Sequence, residues 1–513
     1  MKAQTTFKGL LLCACLAGGI FTAHAQSVNQ VGDIFYIDME NHNWTQPQTV
    51  GEGDLISSTN QAAALGFTTN GSFPTLAAYI GKTYDPTTTN INSAPSQIFG
   101  SAAAPYINSL ISTDSTVNPI LQAGSFVSYA SAYHNVLATP TYLGTNTPAI
   151  HPSEPNYLWQ EAGSNFGVLN DNAPLQTTVT SGVTNTQVQL IKNNMTANGL
   201  STNTLSGLLQ NKYGLSGWKS YQEDTQLQVT SGSVNNPGAN ALTGVVAATN
   251  QWTVPLNNVS GSSTNYINPY NGSHQYNFAT KHDGQIFFSQ TAGNFDTSTN
   301  NISIPHYAPL QQLTNDLASN TIAKYNLITP NQYNDQHTAL TNTFSYHGTN
   351  WVAGSDGNQI AMGDNFLSII IPQIMSSYAF TNAINPGAIV IWNDETETGT
   401  NANTFASTSM EIVISNLAAG STNGIGVYND TNNLTHSSDL ASLQNLFGVA
   451  DPSTSSGYLG DASNAVSSGN TLNGMFVSGA VPTAVPEPST YLLFGLGALV
   501  LVVAYRRRNA SKN

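Results

Sequence analysis

Charge is what this chain has least of. Asp, Glu, Lys and Arg make up 8% of its 513 residues, against about 25% in an average globular protein, so its polarity rests on Ser, Thr, Asn and Gln. That composition excludes a coiled coil and a highly charged disordered tail, and it is commoner among exported bacterial proteins than among cytosolic enzymes. Arginine is missing from the whole interior of the sequence, since Arg506, Arg507 and Arg508 stand together near the C-terminus. Cysteine is almost missing too. Cys13 and Cys15 both fall within the first 25 residues, and if these are removed the rest has no thiol, no disulfide and no thiolate-bound metal. No fixed-period repeat and no heptad pattern is present.

The two ends are address labels. Lys2 and Lys8, an apolar run from Gly9 to Phe21 and Ala23-His24-Ala25 form a secretory signal peptide over 1–25, with Gln26 as the expected mature N-terminus. At the other end, Val485-Pro486-Glu487-Pro488-Ser489-Thr490 precedes an apolar run from Tyr491 to Tyr505 and then the arginines. The run is short for a span of about 20 residues, and the basic cluster behind it suits a cytoplasmic end. This tripartite pattern resembles the PEP-CTERM sorting signal of Gram-negative bacteria. The resemblance implies transient inner-membrane anchoring, an exosortase-type sorting enzyme as partner, and a mature protein at the cell surface, in the outer envelope or outside the cell. The expected organisation is a signal peptide over 1–25, a large body over 26–466, a Gly/Ser/Asn-rich linker over 467–484 and the sorting and transmembrane segment over 485–508.

Without its two ends the chain keeps six lysines against 26 acids, a net charge of −20. A surface of that sign repels phosphate backbones and anionic lipid, which excludes nucleic acid as a partner. Any phosphate group it handles must be held by metal ions, lysine, histidine or backbone amides, because no arginine fork is available.

Short apolar runs at Asp33–Met39, Gly284–Phe288, Tyr325–Ile328, Ala388–Trp392 and Glu411–Ile414 read as buried strands. Asn156–Ala162, Pro309–Ala318, Asn365–Ser376 and Ser438–Phe447 read as helices. This alternation predicts an α/β sheet flanked by helices. Pro86–Ser101 and Gln226–Ser273 read as loops or a β-rich insertion.

In such sheets ligands bind at the carboxyl ends of strands. One predicted strand runs into Glu40-Asn41-His42, another into Asn331, Asp335 and His337, a third into Asp394-Glu395. Carboxylates and imidazoles without cysteine suit a divalent cation such as Mg²⁺, Mn²⁺, Ca²⁺ or Zn²⁺. In His151-Pro152-Ser153-Glu154-Pro155-Asn156-Tyr157, Pro155 suits the first turn of a helix and puts Ser153 at or next to its N-cap, where free N–H groups favour an anion. A serine there is most often only a cap, and becomes a nucleophile if a metal lowers its hydroxyl pKa.

Met39-Glu40-Asn41-His42, His151-Pro152-Ser153 with Pro155-Asn156-Tyr157, Trp218 to Asp224, Lys281-His282-Asp283, Thr329-Pro330-Asn331 with Asp335 and His337, Gly363-Asp364-Asn365-Phe366-Leu367, Asp394-Glu395 and Thr435-His436-Ser437 occur in an order that resembles the bacterial and fungal phosphoesterase family of acid phosphatases and phospholipases C. The resemblance spans about 30–465 and implies an alkaline-phosphatase-like fold for the body. It also implies one or two divalent metal ions, with Glu40, Asn41, Asp394 and Glu395 binding metal beside a nucleophilic Ser153. Asp335, His337 and His436 are implied for a second metal. Lys281 and His282 would hold phosphate or protonate the leaving group, His436 would serve as ligand or acid, and Asn41 would touch substrate. Thr396 stands where the family has glycine, and no arginine-bearing helix follows His436. The expected substrate is a phosphorylated small molecule or a phospholipid. A phospholipase C-type diesterase and a non-catalytic surface or matrix protein are the alternatives.

Overall fold

The computed structural model describes residues 29–44, 98–134, 136, 151–180, 182–225, 252–264, 266–396 and 408–484. The signal segment, most of Pro86–Ser101 and the sorting segment lie outside the described residues. Eight strands form one sheet: β1 (Ile34–Met39), β2 (Phe126–Ala130), β3 (Trp218–Gln222), β4 (Tyr307–Pro309), β5 (Tyr325–Thr329), β6 (Ala388–Asn393), β7 (Glu411–Ser415) and β8 (Val427–Asp430). Their order across the sheet is β8-β2-β7-β6-β1-β5-β3-β4. β1 is parallel to β5 and β6, β3 to β5 and β4, and β2 to β8, whereas β7 runs antiparallel to both β6 and β2. All strands except β7 therefore point one way, and their carboxyl ends share one edge. β1 and β6 are buried along their full length, as their near-continuous apolar sequences require of strands covered on both faces. The expected mixed α/β architecture, a sheet flanked by helices, is what the chain adopts.

Five helices matter for the site: α1 (Pro105–Leu110), α2 (Ser153–Ala162), α3 (Gln312–Ser319), α4 (Asp356–Met375) and α5 (His436–Phe447). Strand alternation sends Tyr36 and Asp38 to one face, where α2 and α5 meet them. Gln160 Nε2 donates to Asp38 Oδ1 at 3.1 Å, and the Tyr36 hydroxyl to Asp439 Oδ2 at 2.8 Å. Met39 points to the other face, toward α4. A Cβ on Gly363 of α4 would lie 2.8 Å from Met39 Cε and 2.2 Å from Gln336 Cγ, so glycine is what lets the helix approach the end of β1. Asp364 then pins α1 by accepting from the N–H groups of Tyr106 and Ile107 at 2.9 and 2.7 Å.

Four expectations need correction. Gly284–Phe288 is no strand; Gly284–Phe287 is a 3-10 turn, because Gly284 sits against α2, where an added Cβ would come within 2.3 Å of the Tyr157 carbonyl oxygen. Short apolar runs fit either state. Pro309 closes the edge strand β4 and does not open α3, an edge being where a sheet tolerates a residue without N–H. α4 starts at Asp356, well before Asn365, because the Ser355 side chain caps it by accepting from Asn358 N at 3.2 Å. Finally, 467–484 is no free linker. Leu472, Met475, Phe476, Ala480 and Val481 are buried, Val477 N donates to Leu417 O at 2.8 Å and Val31 N to Ala480 O at 3.1 Å. The apolar residues of the second half of this segment close over the body, so the folded unit runs past 466.

Two predictions follow from this packing. Burying a large apolar side chain contributes about 1.5–3 kcal/mol, so removing Leu472, Met475, Phe476 and Val481 costs on the order of 6–12 kcal/mol, comparable with a typical net stability of about 5–15 kcal/mol. A chain ended at Val466 should be unfolded or aggregated, whereas one ended at Ala484 should melt like the full chain and be released in soluble form; equal melting of the two would refute the boundary. The second concerns pH. Burial, opposed by their hydrogen bonds, pushes Glu161, Asp364 and Asp439 up to about 7. Between the ordinary carboxyl pKa and about 7 the unfolded chain has released these protons and the fold still holds them, so their stability contribution is full at low pH and is lost as pH rises. Melting temperature should fall between pH 5 and pH 8 and recover with Asp364→Asn.

Candidate functional site

Backbone hydrogen bonds lock three strand ends together. Glu40, next after β1, donates its N–H to Asp335 O at 2.8 Å, and Asp394, next after β6, donates to Met39 O at 3.2 Å. Asn393 Nδ2 donates to Glu40 O at 2.7 Å. The loops after β1, β5 and β6 are thereby fixed side by side, and their acids with them.

Glu40 is the centre. It is fully buried; its Oε2 accepts the Ser153 hydroxyl at 3.0 Å and its Oε1 the Tyr157 hydroxyl at 3.0 Å. His282 Nε2 lies 2.8 Å from Oε1. Burial works to raise the Glu40 pKa, but the charge and contact of His282, with His337 and Lys281 further off, hold it below the ordinary carboxylate range. Ser153 opens α2 directly after Pro152, and Tyr157 follows one turn later on the same side.

His282 is held from its other nitrogen, with Nδ1 3.1 Å from Asp335 Oδ2. Burial weakens it as a base, yet Glu40 and Asp335 outweigh burial and push it up to about 9. Asp335 Oδ1 accepts the N–H of His337 at 2.8 Å. Burial first of all pushes His337 down to about 3, which leaves a neutral imidazole. Its Nε2 is 3.1 Å from Lys281 Nζ, and Lys281 Nζ is 3.0 Å from Asp171 Oδ2.

Glu40, His282 and His337 each offer one ligand atom, and these atoms all lie within 4.8 Å of one another. One carboxylate and two imidazoles form a donor set for Zn²⁺ or Mn²⁺. Although His282 Nε2 and Glu40 Oε1 are close, they form no aligned hydrogen bond; they stand side by side, as ligands around one ion do. Asp394 adjoins them. It is fully buried, lies near Ser153, Glu40 and Lys281, and neither of its carboxylate oxygens accepts an aligned hydrogen bond. Burial and the charges of Glu40 and Glu395 push its pKa well up. An unpartnered buried carboxylate is costly unless a cation shares it, so these residues fit a divalent metal.

Ser153, Glu40, His282, His337, Lys281 and Asp394 are thus brought together, and half-buried Asn41 follows Glu40 in the chain. Two residues expected as ligands are held elsewhere. Asp335 is not one of them: its Oδ1 accepts from His337 and its Oδ2 lies beside His282 Nδ1 without an aligned hydrogen bond, so it adjoins the ligand group with one oxygen open to a cation. Glu395 turns to His151 Nδ1 at 2.5 Å and Asn156 Nδ2 at 3.1 Å, clamping the segment that carries Ser153. His436 stands behind the site: its Nε2 donates to the Asp394 carbonyl oxygen at 2.5 Å, and its Nδ1 accepts from Trp392 Nε1 at 3.0 Å, with the Tyr133 hydroxyl at 2.7 Å. A carbonyl can only accept, which fixes the tautomer and removes both nitrogens from metal or acid duty.

Three side chains at the site went unassigned in the sequence. Tyr157 had a signal, because its distance of four residues from Ser153 puts both on one helix face. His42 is buried with neither ring nitrogen hydrogen-bonded, within electrostatic reach of Glu40, and adjacency to Glu40-Asn41 was the hint. Asp171 carried no signal; only the fold brings it to Lys281.

Residues 484–508 match the PEP-CTERM protein-sorting motif. The chain is thus exported, anchored through its C-terminal segment and recognised by an exosortase-type sorting enzyme. A search of curated proteins gives no match. Among the described residues no helix is long and apolar enough to cross a membrane; Tyr491–Tyr505 lies outside them.

The ligand group predicts that the exported protein binds Zn²⁺ or Mn²⁺. Titration calorimetry should show Glu40→Gln abolishing binding and Asp335→Asn weakening it about 10- to 100-fold, as loss of a ligand-orienting carboxylate does. His436→Gln should leave binding within a few-fold; abolition by His436→Gln would return that histidine to the ligand set.

Proposed function

We propose that this protein is an exported, metal-dependent phosphoesterase with an alkaline-phosphatase-like body, hydrolysing phosphate monoesters as acid phosphatases do, through a phosphoserine. The observation that carries this reading is the Ser153 hydroxyl at the N-terminus of α2, 3.0 Å from buried Glu40, itself a member of the ligand group that Glu40, His282 and His337 form among the described residues. A nucleophile, a cation site and a helix N-terminus meet there.

Ser153 Oγ attacks phosphorus in line as the bond to the departing alcohol breaks, and its proton is directed at Glu40. A divalent cation, when bound, neutralises phosphoryl charge and lowers the hydroxyl pKa of Ser153. Asp335 holds the Nδ1 side of His282 so that Nε2 faces inward. Lys281 is opposed by burial but kept protonated by Glu40 and Asp171, and it is the group left to offset charge on the phosphoryl oxygens and give a proton to the alcohol. Water then attacks phosphorus and gives a proton to the Lys281 amine, the bond to Ser153 Oγ breaks, and serine regains its proton from Glu40. Tyr157, donating to Glu40, keeps that carboxylate in place through both halves.

Ser153→Ala should lower turnover of a phosphomonoester by about a thousandfold or more, since removing a nucleophile disables the whole machinery. The variant should stay folded with a lowered melting point, because a hydrogen bond to an ionised carboxylate contributes about 1.5–3 kcal/mol of a typical net stability of about 5–15 kcal/mol. Chelation should silence the wild-type enzyme, and added Zn²⁺ or Mn²⁺ should restore it. Phosphatidylcholine and a phosphodiester assayed alongside separate phosphatase from phospholipase C. No hydrolysis of any of the three by metal-loaded protein would leave the surface-scaffold alternative.

A further inference from the structure

One carboxylate already holds the donors that a phosphate at Ser153 would use. Asp171 Oδ1 accepts the N–H of Glu154 at 3.0 Å, the amide next to the nucleophile at the start of α2. The following residue, Pro155, has no N–H to offer. Asp171 Oδ2 lies 3.0 Å from Lys281 Nζ. Among the described residues, three other lysines are engaged elsewhere: Lys219 pairs with Asp316, Lys324 with Asp33, and Lys212 binds the carbonyl oxygens of Phe447 and Gly448. With arginine absent from the interior of the chain, Lys281 is the cation the site depends on.

The two partners differ in freedom. The Asp171 side chain is 31% exposed, that of Lys281 12%, so the carboxylate can swing into water while the ammonium stays. The helix end is not the only sign that a ligand belongs here. Asp394, fully buried beside Ser153 and within electrostatic range of Lys281, has no aligned hydrogen bond on either carboxylate oxygen. A buried carboxylate so placed suits a cation, and a cation there would draw a phosphate to the same place.

We infer that Asp171 is a displaceable internal anion standing where two oxygens of a phosphate group bind, across the Glu154 amide and the Lys281 ammonium. This rests on the phosphoesterase reading above. A phosphate monoester must push Asp171 toward solvent to reach Ser153, and when product leaves Asp171 returns to its donors. Asp171 therefore sets the affinity of the site for phosphate, weakening substrate and product alike and opposing inhibition by inorganic phosphate, because the bound carboxylate and the ligand compete for the same donors.

The test uses the exported protein loaded with Zn²⁺ or Mn²⁺, titrated calorimetrically with inorganic phosphate and with orthovanadate, together with KM and kcat for a phosphomonoester. Asp171→Asn keeps an oxygen for the Glu154 amide and removes the charge; Asp171→Ser serves if the first variant melts early. Phosphate should bind roughly three- to tenfold more tightly to the variant, the effect of removing one partly exposed ion pair and one like charge. KM and the phosphate inhibition constant should fall together, and Lys281→Gln should weaken binding in either background. Equal or weaker phosphate binding by both Asp171 variants would overturn the inference while leaving the phosphoesterase reading in place. Failure of metal-loaded wild type and variants alike to bind phosphate or vanadate would overturn that reading, and the inference with it.

Discussion

A carboxylate sealed from water at the end of the central strand is the constraint on which this site depends. Glu40 has no exposed surface, and an isolated ion so placed would take up a proton. It stays ionised because His282, Ser153 and Tyr157 converge on its two oxygens. Each of those needs its own support. His282 leans on Asp335, Ser153 and Tyr157 ride on α2, and α2 is fastened to the sheet through Gln160 and Asp38. Ionisation of one buried acid thus ties the first strand, the first long helix and two loops into a single arrangement.

Behind that arrangement stands a second one that does no chemistry. His436, Trp392, Tyr133, Asp439 and Tyr36 form a buried chain of hydrogen bonds, including one from the Tyr133 hydroxyl to Asp439. It ends on the carbonyl oxygen of Asp394. Its effect is to hold the turn after β6 so that the Asp394 carboxylate faces Ser153. A polar network of this kind is stable only when its members are satisfied, which explains why a histidine that looks like a ligand in the sequence is used as a strut.

Scarcity of cations shapes the rest. In an acidic chain with no arginine in its interior, the positive charge that balances the buried acids comes from imidazoles and Lys281, with no guanidinium fork to share it. Lys281 touches both halves of the site, His337 on one side and Asp171 on the other, so any change of ligand at either position is felt through it.

The strands at Asp33–Met39, Tyr325–Ile328, Ala388–Trp392 and Glu411–Ile414 were readable because central strands buried on both faces, whether parallel or, like Glu411–Ile414, antiparallel, are apolar along most of their length, and the sorting signal because its three parts are contiguous. Acids placed just beyond such strands were readable as a cluster for the same reason: a parallel sheet delivers its carboxyl ends to one edge. Sequence alone therefore determined the α/β class and the C-terminal sorting signal, and it pointed to Glu40, Asp394 and Ser153 as one group. It could not determine which members of the cluster face inward. Glu395 and His436 carry ligand chemistry, but their orientation depends on partners more than one hundred residues away or on a neighbouring loop. Asp171 and the packing of 467–484 were invisible for the same reason. Those choices belong to tertiary structure, because a side chain's role at a buried site is fixed by which distant donors and acceptors reach it first.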